Sequence, residues 1–368
     1  MEEVVGPVDF WRGKRVFLTG HTGFKGAWLS LCLTDLGADV TGFALAPPTR
    51  PNLFDIAGVE ALLHHIQGDV RDTATLTAAV RDARPDIVLH LAAQSLVRAS
   101  YDDPVGTYAT NVMGTVNLLE AVRRTPSVRA VVCVTSDKCY ENLETGHAYR
   151  EGDALGGYDP YSSSKGCSEL VAAAFRRSFF NPDRPADHAA AVATARAGNV
   201  VGGGDWAVDR LVPDLMRAFS TGRRPTIRFP AAVRPWQHVL EPLAGYMLLA
   251  ERLWGGEPGM AEGWNFGPAE ADARTVGAVA AALADAWGEG AGWDLTGEAQ
   301  PHEATYLRLD CAKAHDRLGW RPVWGLDAGL SRTVDWHQAH KNGDDMGAFT
   351  RRQIQAHRAS LSTQSHES

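Results

Sequence analysis

Short strand-like runs alternate with helical stretches through the first half of the chain. This alternation constrains the fold more than any other feature. The runs lie at 15–19, 39–44, 63–68, 86–91, 129–135 and 188–197, and helical patterns lie at 26–36, 72–84, 104–124 and 161–179. The runs are continuously apolar, as in Arg129-Ala-Val-Val-Cys-Val-Thr135. Such a strand is buried on both faces, as happens in a parallel sheet covered by helices on each side. The expected fold class is α/β: a Rossmann-type doubly wound parallel sheet with a smaller C-terminal substrate-binding domain. In such sheets ligands sit beyond the carboxyl ends of the strands, so chemistry is expected just after each run.

The pattern changes after about residue 198. Glycine, proline and tryptophan become frequent, as in Gly202-Gly203-Gly204-Asp205-Trp206, and helical stretches recur at 241–254, 276–287 and 311–318. The expected organisation is a cofactor-binding domain over 1–198, to which some later segments return. A substrate domain follows over 199–340, then a polar tail over 341–368 that is poor in pattern and expected to fray. With 368 residues, 45% of them hydrophobic, the chain can bury a large core without disulfides or metals.

A formal net charge of −8 offers no basic footprint, so nucleic acid is not expected as a partner. An anionic substrate would need a locally placed Arg or Lys. The N-terminus has no positive segment followed by an apolar one, and no apolar stretch approaches membrane-spanning length, so neither a signal peptide nor a membrane is expected. The default location is cytoplasmic. The five cysteines, Cys32, Cys133, Cys139, Cys167 and Cys311, show no C-x-x-C spacing, which argues against a disulfide framework or a metal site. Cys139 and Cys167 fall near the candidate site but read as small filler residues. Trp206 and Trp236 could flank it, although tryptophans in loops more often cap a core.

Thr19-Gly-His-Thr-Gly-Phe-Lys-Gly26 follows the first run and opens the first helix. Its glycines are spaced for a tight turn, a close phosphate approach and close helix–strand packing, and a helix N-terminus adds unpaired amides and a favourable dipole. This places Gly20, Thr22, Gly23, Phe24, Lys25 and Gly26 against a dinucleotide. The end of the second run, Thr41-Gly-Phe-Ala-Leu45, carries neither a carboxylate for an adenosine ribose nor an arginine for a 2′-phosphate. NAD is favoured over NADP. Asp69 and Val70, after the third run, are placed to meet the adenine.

Tyr161 and Lys165 lie one helical turn apart on one face. An ammonium beside a phenol lowers its pKa, which would let Tyr161 act as a base. The fifth run ends in Ser136-Asp137-Lys138, a hydroxyl, a carboxyl and an ammonium at the expected ligand end of the sheet.

Together these residues resemble the extended short-chain dehydrogenase/reductase family over about 12–336. The T-G-x-x-G-x-x-G turn, His90-Leu-Ala-Ala93, Asn111, Tyr161-x-x-x-Lys165 and Arg196-x-x-Asn199 occur in the family's order. Within it, Thr135-Ser-Asp-Lys-Cys-Tyr-Glu-Asn142, Ala197-Gly-Asn-Val-Val-Gly-Gly-Gly-Asp205 and Arg234-Pro-Trp-Gln-His238 are similar to the dehydratases that act on CDP-linked hexoses. The resemblance implies an internal NAD redox cycle coupled to loss of water. Tyr161, Lys165, Ser136, Asp137 and Lys138 would be catalytic, with Asp137 as acid and Lys138 as base or orienting group. Leu91, Ala92, Ala93 and Asn111 would join the cofactor site. Gln94, Ser95, Ser136, Asn199, Arg234, His302 and Tyr306 would face the nucleotide sugar, and two copies would pair through their long helices as a homodimer. A nucleotide-sugar 4-epimerase would share the glycine turn and the Tyr–Lys pair but would not need Asp137 and Lys138. A non-catalytic NAD(H)-binding protein would need none of the three catalytic positions Ser136, Tyr161 and Lys165.

Overall fold

The computed structural model describes residues 10–295 and 306–367. Seven parallel strands form the central sheet. In chain order the first five are β1 (Arg15–Thr19), β2 (Asp39–Ala44), β3 (His64–Gln67), β4 (Ile87–His90) and β5 (Ala130–Val134). Ala191–Ala197 extends the sheet beyond β5, and Gly263–Phe266 forms the edge beyond it. Across the sheet β3, β2 and β1 are followed by β4, β5 and the two later strands, so the order reverses between β1 and β4. That reversal opens a crevice at the carboxyl ends, where the glycine turn after β1 faces Leu91–Ala93 after β4.

Successive residues of each strand feed opposite faces, as the pleat requires. Leu18, Leu89, Val132 and Ala193 pack with Trp28, Leu31, Leu243 and Tyr246 on one face. Phe17, Val88, Val131 and Val192 pack with Leu76, Leu118 and Leu119 on the other. Two segments past residue 198 therefore return to the first domain: helix Leu240–Trp254 lies on the sheet, and Gly263–Phe266 joins it.

The remainder forms a smaller unit. Strands Asn199–Val201, Val233–His238 and Ala273–Thr275 make a three-stranded sheet. Helices Leu211–Ser220, Val276–Trp287 and Leu326–Asn342 pack beside it around Leu215, Phe219, Trp236, Leu283 and Leu330. Helices 211–220 and 326–342 are absent from the sequence expectation. Pro213 masks the first because proline is tolerated in a first turn; in the second, Leu326, Leu330 and Val334 repeat every fourth residue through a largely polar segment. Trp236 is buried in this core, whereas Trp206 packs edge-on against Trp336.

The expectation of a fraying tail is overturned. Met346–Glu367 is a helix docked on both units. His357 Nε2 lies 3.0 Å from Glu241 Oε1, and Trp336 Nε1 donates to Thr350 Oγ1 at 2.9 Å. The helix is polar overall, but it sets Met346 and Ile354 into the main core with Phe349 and Ala356 packed beside them, interleaved with the polar anchors. Glu241 is fully buried and also accepts the amides of Val323 (2.9 Å) and Trp324 (3.0 Å). Among the described residues, no helix is long and apolar enough to cross a membrane. Glu241→Leu leaves buried donors without an acceptor, so it should lower the unfolding free energy by about 3 kcal/mol. Urea denaturation measures this, and an unchanged midpoint would show that the carboxylate does not hold the tail.

Candidate active site

One cleft of about 890 Å³ runs along the carboxyl ends of the sheet and under the smaller unit. Its floor begins at the glycine turn. Gly20 has φ +78, and a Cβ there would stand 2.7 Å from the Ala92 amide nitrogen; a methyl on Gly26 would run into the Gly20 carbonyl. Helix Phe24–Asp35 opens at Gly23 without a side-chain cap, so its first amides face the cleft. A bare backbone cradle at a helix N-terminus fits a pyrophosphate. Thr22 Oγ1 donates to the Leu45 carbonyl at 2.9 Å, tying the turn to the end of β2. Thr19 Oγ1 accepts the amides of Leu91 and Ala92, each at 3.1 Å, and bonds His90 Nδ1 at 2.7 Å, which sets the loop after β4. Burial pushes His90 down to about 3, with Lys165 adding to it, so the ring is neutral.

The end of the cleft beside β2 and β3 is lined by Leu45, Ala46, Pro48, Thr49, Asp69 and Val70, again without a carboxylate at the end of β2. The Asp69 carboxylate is gripped by Arg71, whose hydrogen bonds hold it below the usual carboxylate range. Asn111 stands behind the wall rather than on it. It receives the Gln94 amide and donates to the Gln94 carbonyl, both at 2.9 Å, and donates to Ser164 Oγ at 2.8 Å. It sits in a π-helical turn, Ala109–Met113, inside the long helix expected at 104–124.

At the other end, Ser136, Asp137 and Lys138 follow β5 and face Tyr161 and Lys165. Asp159 caps helix Pro160–Ser178 by accepting the Ser162 amide, which places Tyr161 in the first turn. Lys165 Nζ donates to the Val134 carbonyl at 3.3 Å. Ser136 Oγ donates to Asp137 Oδ1 at 3.0 Å, while Asp137 Oδ2 has no partner among the described residues. Burial pushes the Asp137 carboxyl up, against Lys138, Ser136 and Arg234. Burial also lowers Lys165 to about 8, against the carboxylate of Glu169. The expected lowering of Tyr161 by Lys165 is overturned for the protein alone. Burial raises the phenol to about 12, with Ser136 pulling the other way, and the Lys165 ammonium points at a carbonyl.

Gln94, Ser95, Asn199 and Arg234 line the middle of the cleft. Tyr306 bridges Val233, next to Arg234, and its hydroxyl accepts from Arg308 at 3.1 Å; it stands at the rim rather than on the lining. His302 lies outside the described residues. Cys139 is buried, and burial raises its thiol well above the ordinary value, in keeping with a filler.

A profile of the NAD-dependent epimerase/dehydratase family matches residues 16–261. The chain belongs to this family. It is 54% identical over 346 residues to the CDP-glucose 4,6-dehydratase of Salmonella typhimurium, covering 94% of this chain and 96% of that one. It is 31% identical over 281 residues to a dTDP-glucose 4,6-dehydratase of Streptomyces antibioticus, covering 75% and 76%. Among solved structures it resembles the dTDP-glucose 4,6-dehydratase from Streptomyces venezuelae with NAD bound, with a TM-score of 0.74 and 26% identity over 90% of this chain and 98% of that one.

Sequence reasoning missed two groups in this family member. Arg98, Arg210 and Arg228 line the cleft beside Arg234. Arg210 donates to Ser95 Oγ at 2.8 Å and pairs with Asp205 at 3.0 Å. Arg210 and Arg228 come from the smaller unit, which folds over the cleft to bring them in, whereas Arg98 stands on helix Val97–Asp102, three residues past Ser95. The second group was readable. Glu169 continues the Tyr161–Lys165 spacing by one more turn. Its buried carboxylate pairs with Arg196 at 2.7 Å and accepts Thr194 Oγ1 at 2.7 Å and Thr135 Oγ1 at 2.5 Å, bracing the strand end that carries Ser136.

The Lys165 ammonium titrates near 8 in the folded chain against 10.5 ordinarily. Below pH 8 both states hold the proton and folding bears the whole burial cost; between 8 and 10.5 the folded chain releases it first and the cost fades. Lys165→Met should thus gain stability over the natural chain by a margin that is largest below pH 8 and shrinks toward 10.5. Urea unfolding at about pH 7 and about pH 10 checks this. A margin that grows with pH contradicts it.

Proposed function

We propose that this chain is a CDP-D-glucose 4,6-dehydratase, an NAD-dependent hydro-lyase that forms CDP-4-dehydro-6-deoxy-D-glucose and water. The observation that carries the reading is the Ser136-Asp137-Lys138 strand end facing Tyr161 and Lys165 in one cleft. The near full-length 54% identity to a CDP-glucose 4,6-dehydratase supports the choice of substrate. A 4-epimerase needs only the Tyr–Lys half of that arrangement.

NAD+, held at the glycine turn by Gly20, Thr22, Gly23 and Phe24, would supply the hydride acceptor and donor for the sugar. The chain's own groups handle the protons. Tyr161 takes the C4 hydroxyl proton as the C4–H bond breaks, and the nearby ammonium of Lys165 favours the phenolate at that moment. Ser136 hydrogen-bonds the C4 oxygen. The C4 ketone acidifies the C5 proton, which Lys138 removes. Asp137, biased toward its protonated form by burial, donates to the departing C6 hydroxyl, so that water leaves. Lys138, carrying the proton it took, would return it to C5 as C6 gains the hydride. Seven cationic side chains and five carboxylates line the cleft of a chain with net charge −8, and one of those carboxylates, Asp137, is driven toward neutral. This local surplus suits the diphosphates of cofactor and substrate. In this reading residues 1–198, with 240–254 and 263–266, hold the cofactor, and the rest of 199–340 holds the nucleotide sugar.

We also infer a homodimer. Val105, Tyr108 and Met113 on the helical stretch 104–123 and Leu170 on helix 160–178 are exposed, Val105 by 78%. An apolar patch over two adjacent helices fits a second copy. The five free thiols suit a reducing compartment, the cytoplasm.

Incubated with CDP-, dTDP-, GDP- and UDP-glucose, the chain should form a 4-keto-6-deoxy product from the CDP sugar. Lys138→Ala should still reduce NAD+ with that substrate but release no product. Turnover of another nucleotide sugar in preference, or full turnover by Lys138→Ala, would overturn the corresponding part. Val105→Glu combined with Met113→Glu should sediment as a monomer where the natural chain is a dimer; a monomeric natural chain removes the dimer.

A further inference from the structure

Three of the arginines that line the cleft are held by two carboxylates, and the two do not hold alike. Asp205 is buried. It pairs with Arg210 at 3.0 Å and accepts the Ala207 amide at 3.0 Å, so it is built into the loop that leads to helix Leu211–Ser220. Asp209, in the same loop, is held more loosely. Its side chain is 41% exposed, and one oxygen, Oδ1, stands 3.4 Å from Arg98 and 3.4 Å from Arg228. Arg98 belongs to helix Val97–Asp102 of the first domain, whereas Arg228 follows the short strand Thr226–Ile227 of the smaller unit. Arg98, Asp209 and Arg228 all line the cleft. A single carboxylate oxygen thus bridges two cations that come from its two walls.

These two contacts are longer than a charge-assisted hydrogen bond, which runs to about 2.7–2.9 Å. Half-exposed ion pairs of this kind add little to the stability of a fold. The backbone is nevertheless specialised at this point: Asp209 has φ +62, a left-handed conformation that Asp and Asn tolerate better than most side chains. An unusual backbone that sets a weakly stabilising carboxylate into a cleft points to a role in binding rather than in folding. Its surroundings are those of a bound phosphate, since guanidinium groups offer their N–H donors to carboxylate and phosphate oxygens in the same way.

We propose that Asp209 is an internal stand-in for phosphate: its carboxylate sits between Arg98 and Arg228 where the diphosphate of the nucleotide sugar binds, and gives up that place when the substrate enters. The proposal rests on the reading that the cleft takes a nucleoside-diphosphate sugar. A diphosphate brings more charge and more acceptor oxygens than one carboxylate, so the exchange runs forward on binding. When the nucleotide leaves, the carboxylate returns and the two guanidinium groups are not left facing each other unpaired. Substrate affinity is therefore lower than the arginines alone would give, because the two loose pairs must first be broken. Pairs of this strength lower a binding constant by roughly threefold to tenfold together. The product carries the same diphosphate as the substrate, so a site tuned for the tightest phosphate grip would hold both equally well. A returning carboxylate favours release.

Calorimetry on the full chain tests this, with dissociation constants for CDP and for NAD+ as the readout. The proteins compared are the natural chain, Asp209→Asn, Asp209→Gly, Arg98→Met and the double variant Asp209→Asn with Arg98→Met. Asparagine keeps the shape and tolerates the left-handed backbone, and glycine adopts it freely, so the test survives if one of the two fails to fold. Each neutral variant at 209 should bind CDP roughly threefold to tenfold more tightly, while NAD+ binding should not change. Arg98→Met should weaken CDP binding more in the Asp209→Asn background than in the natural one, because there the phosphate has no carboxylate to displace. A carboxylate that acted only as distant negative charge would give the same Arg98→Met loss in both backgrounds. Equal losses, unchanged or weaker CDP binding in both neutral variants, or tightening of NAD+ instead of CDP would overturn the proposal. Failure of the natural chain to bind CDP at all would instead remove the nucleotide-sugar reading on which it stands.

Discussion

The Lys165 ammonium is buried beneath the end of β5 with the Val134 carbonyl as its hydrogen-bonded partner and the Glu169 carboxylate one helical turn below. Taking an ammonium out of water is costly, so its position has to be enforced from several sides. Helix 160–178 is capped by Asp159 and bonded through Ser164 to Asn111. Glu169 is pinned by Arg196, Thr194 and Thr135, and Thr135 leads directly into Ser136. The position of the buried cation, the orientation of the Tyr161 helix and the placement of the Ser136-Asp137-Lys138 turn are thus parts of one braced structure.

Burial works on the titratable groups of that structure in a way that divides their roles. It raises Asp137 toward the protonated form and lowers Lys165 toward the neutral one. An acid that holds its proton suits a departing hydroxyl, and Lys165, lowered only to about 8, still keeps its charge beside Tyr161 near neutral pH. The arginines of the smaller unit add charge from the opposite wall, so the cleft is electropositive inside an acidic chain.

Much of this was readable in the amino-acid order, because it is written in local spacing. The glycine turn, the Tyr161–Lys165 pair and the polar residues after β5 each need only a strand or helix of known period to be placed. Arg210 and Arg228 were not readable, since they reach the cleft only after distant segments cross over it, whereas Arg98 lies three residues past Ser95 and was within reach of the same local reading. Asn111 was found by resemblance, but its work as a brace for Gln94 depends on a π-helical turn that no propensity announces. The docked helix 346–367 was missed for a related reason: His357, Thr350 and Ser360 anchor it one contact at a time to Glu241, Trp336 and Trp324. The apolar contacts beside them, Met346, Phe349 and Ile354, are few and interleaved with polar residues, so the face is weak in the sequence.

The account stands on hydride moving within one sugar, from C4 to C6, in a cleft that also removes water. CDP-glucose carrying deuterium at C4 tests this in a single turnover, with the product read by proton and deuterium NMR. The account predicts that the deuterium appears in the C6 methyl group of the 4-keto product. Deuterium still at C4 of an intact or inverted hexose, or its loss to solvent, would contradict it.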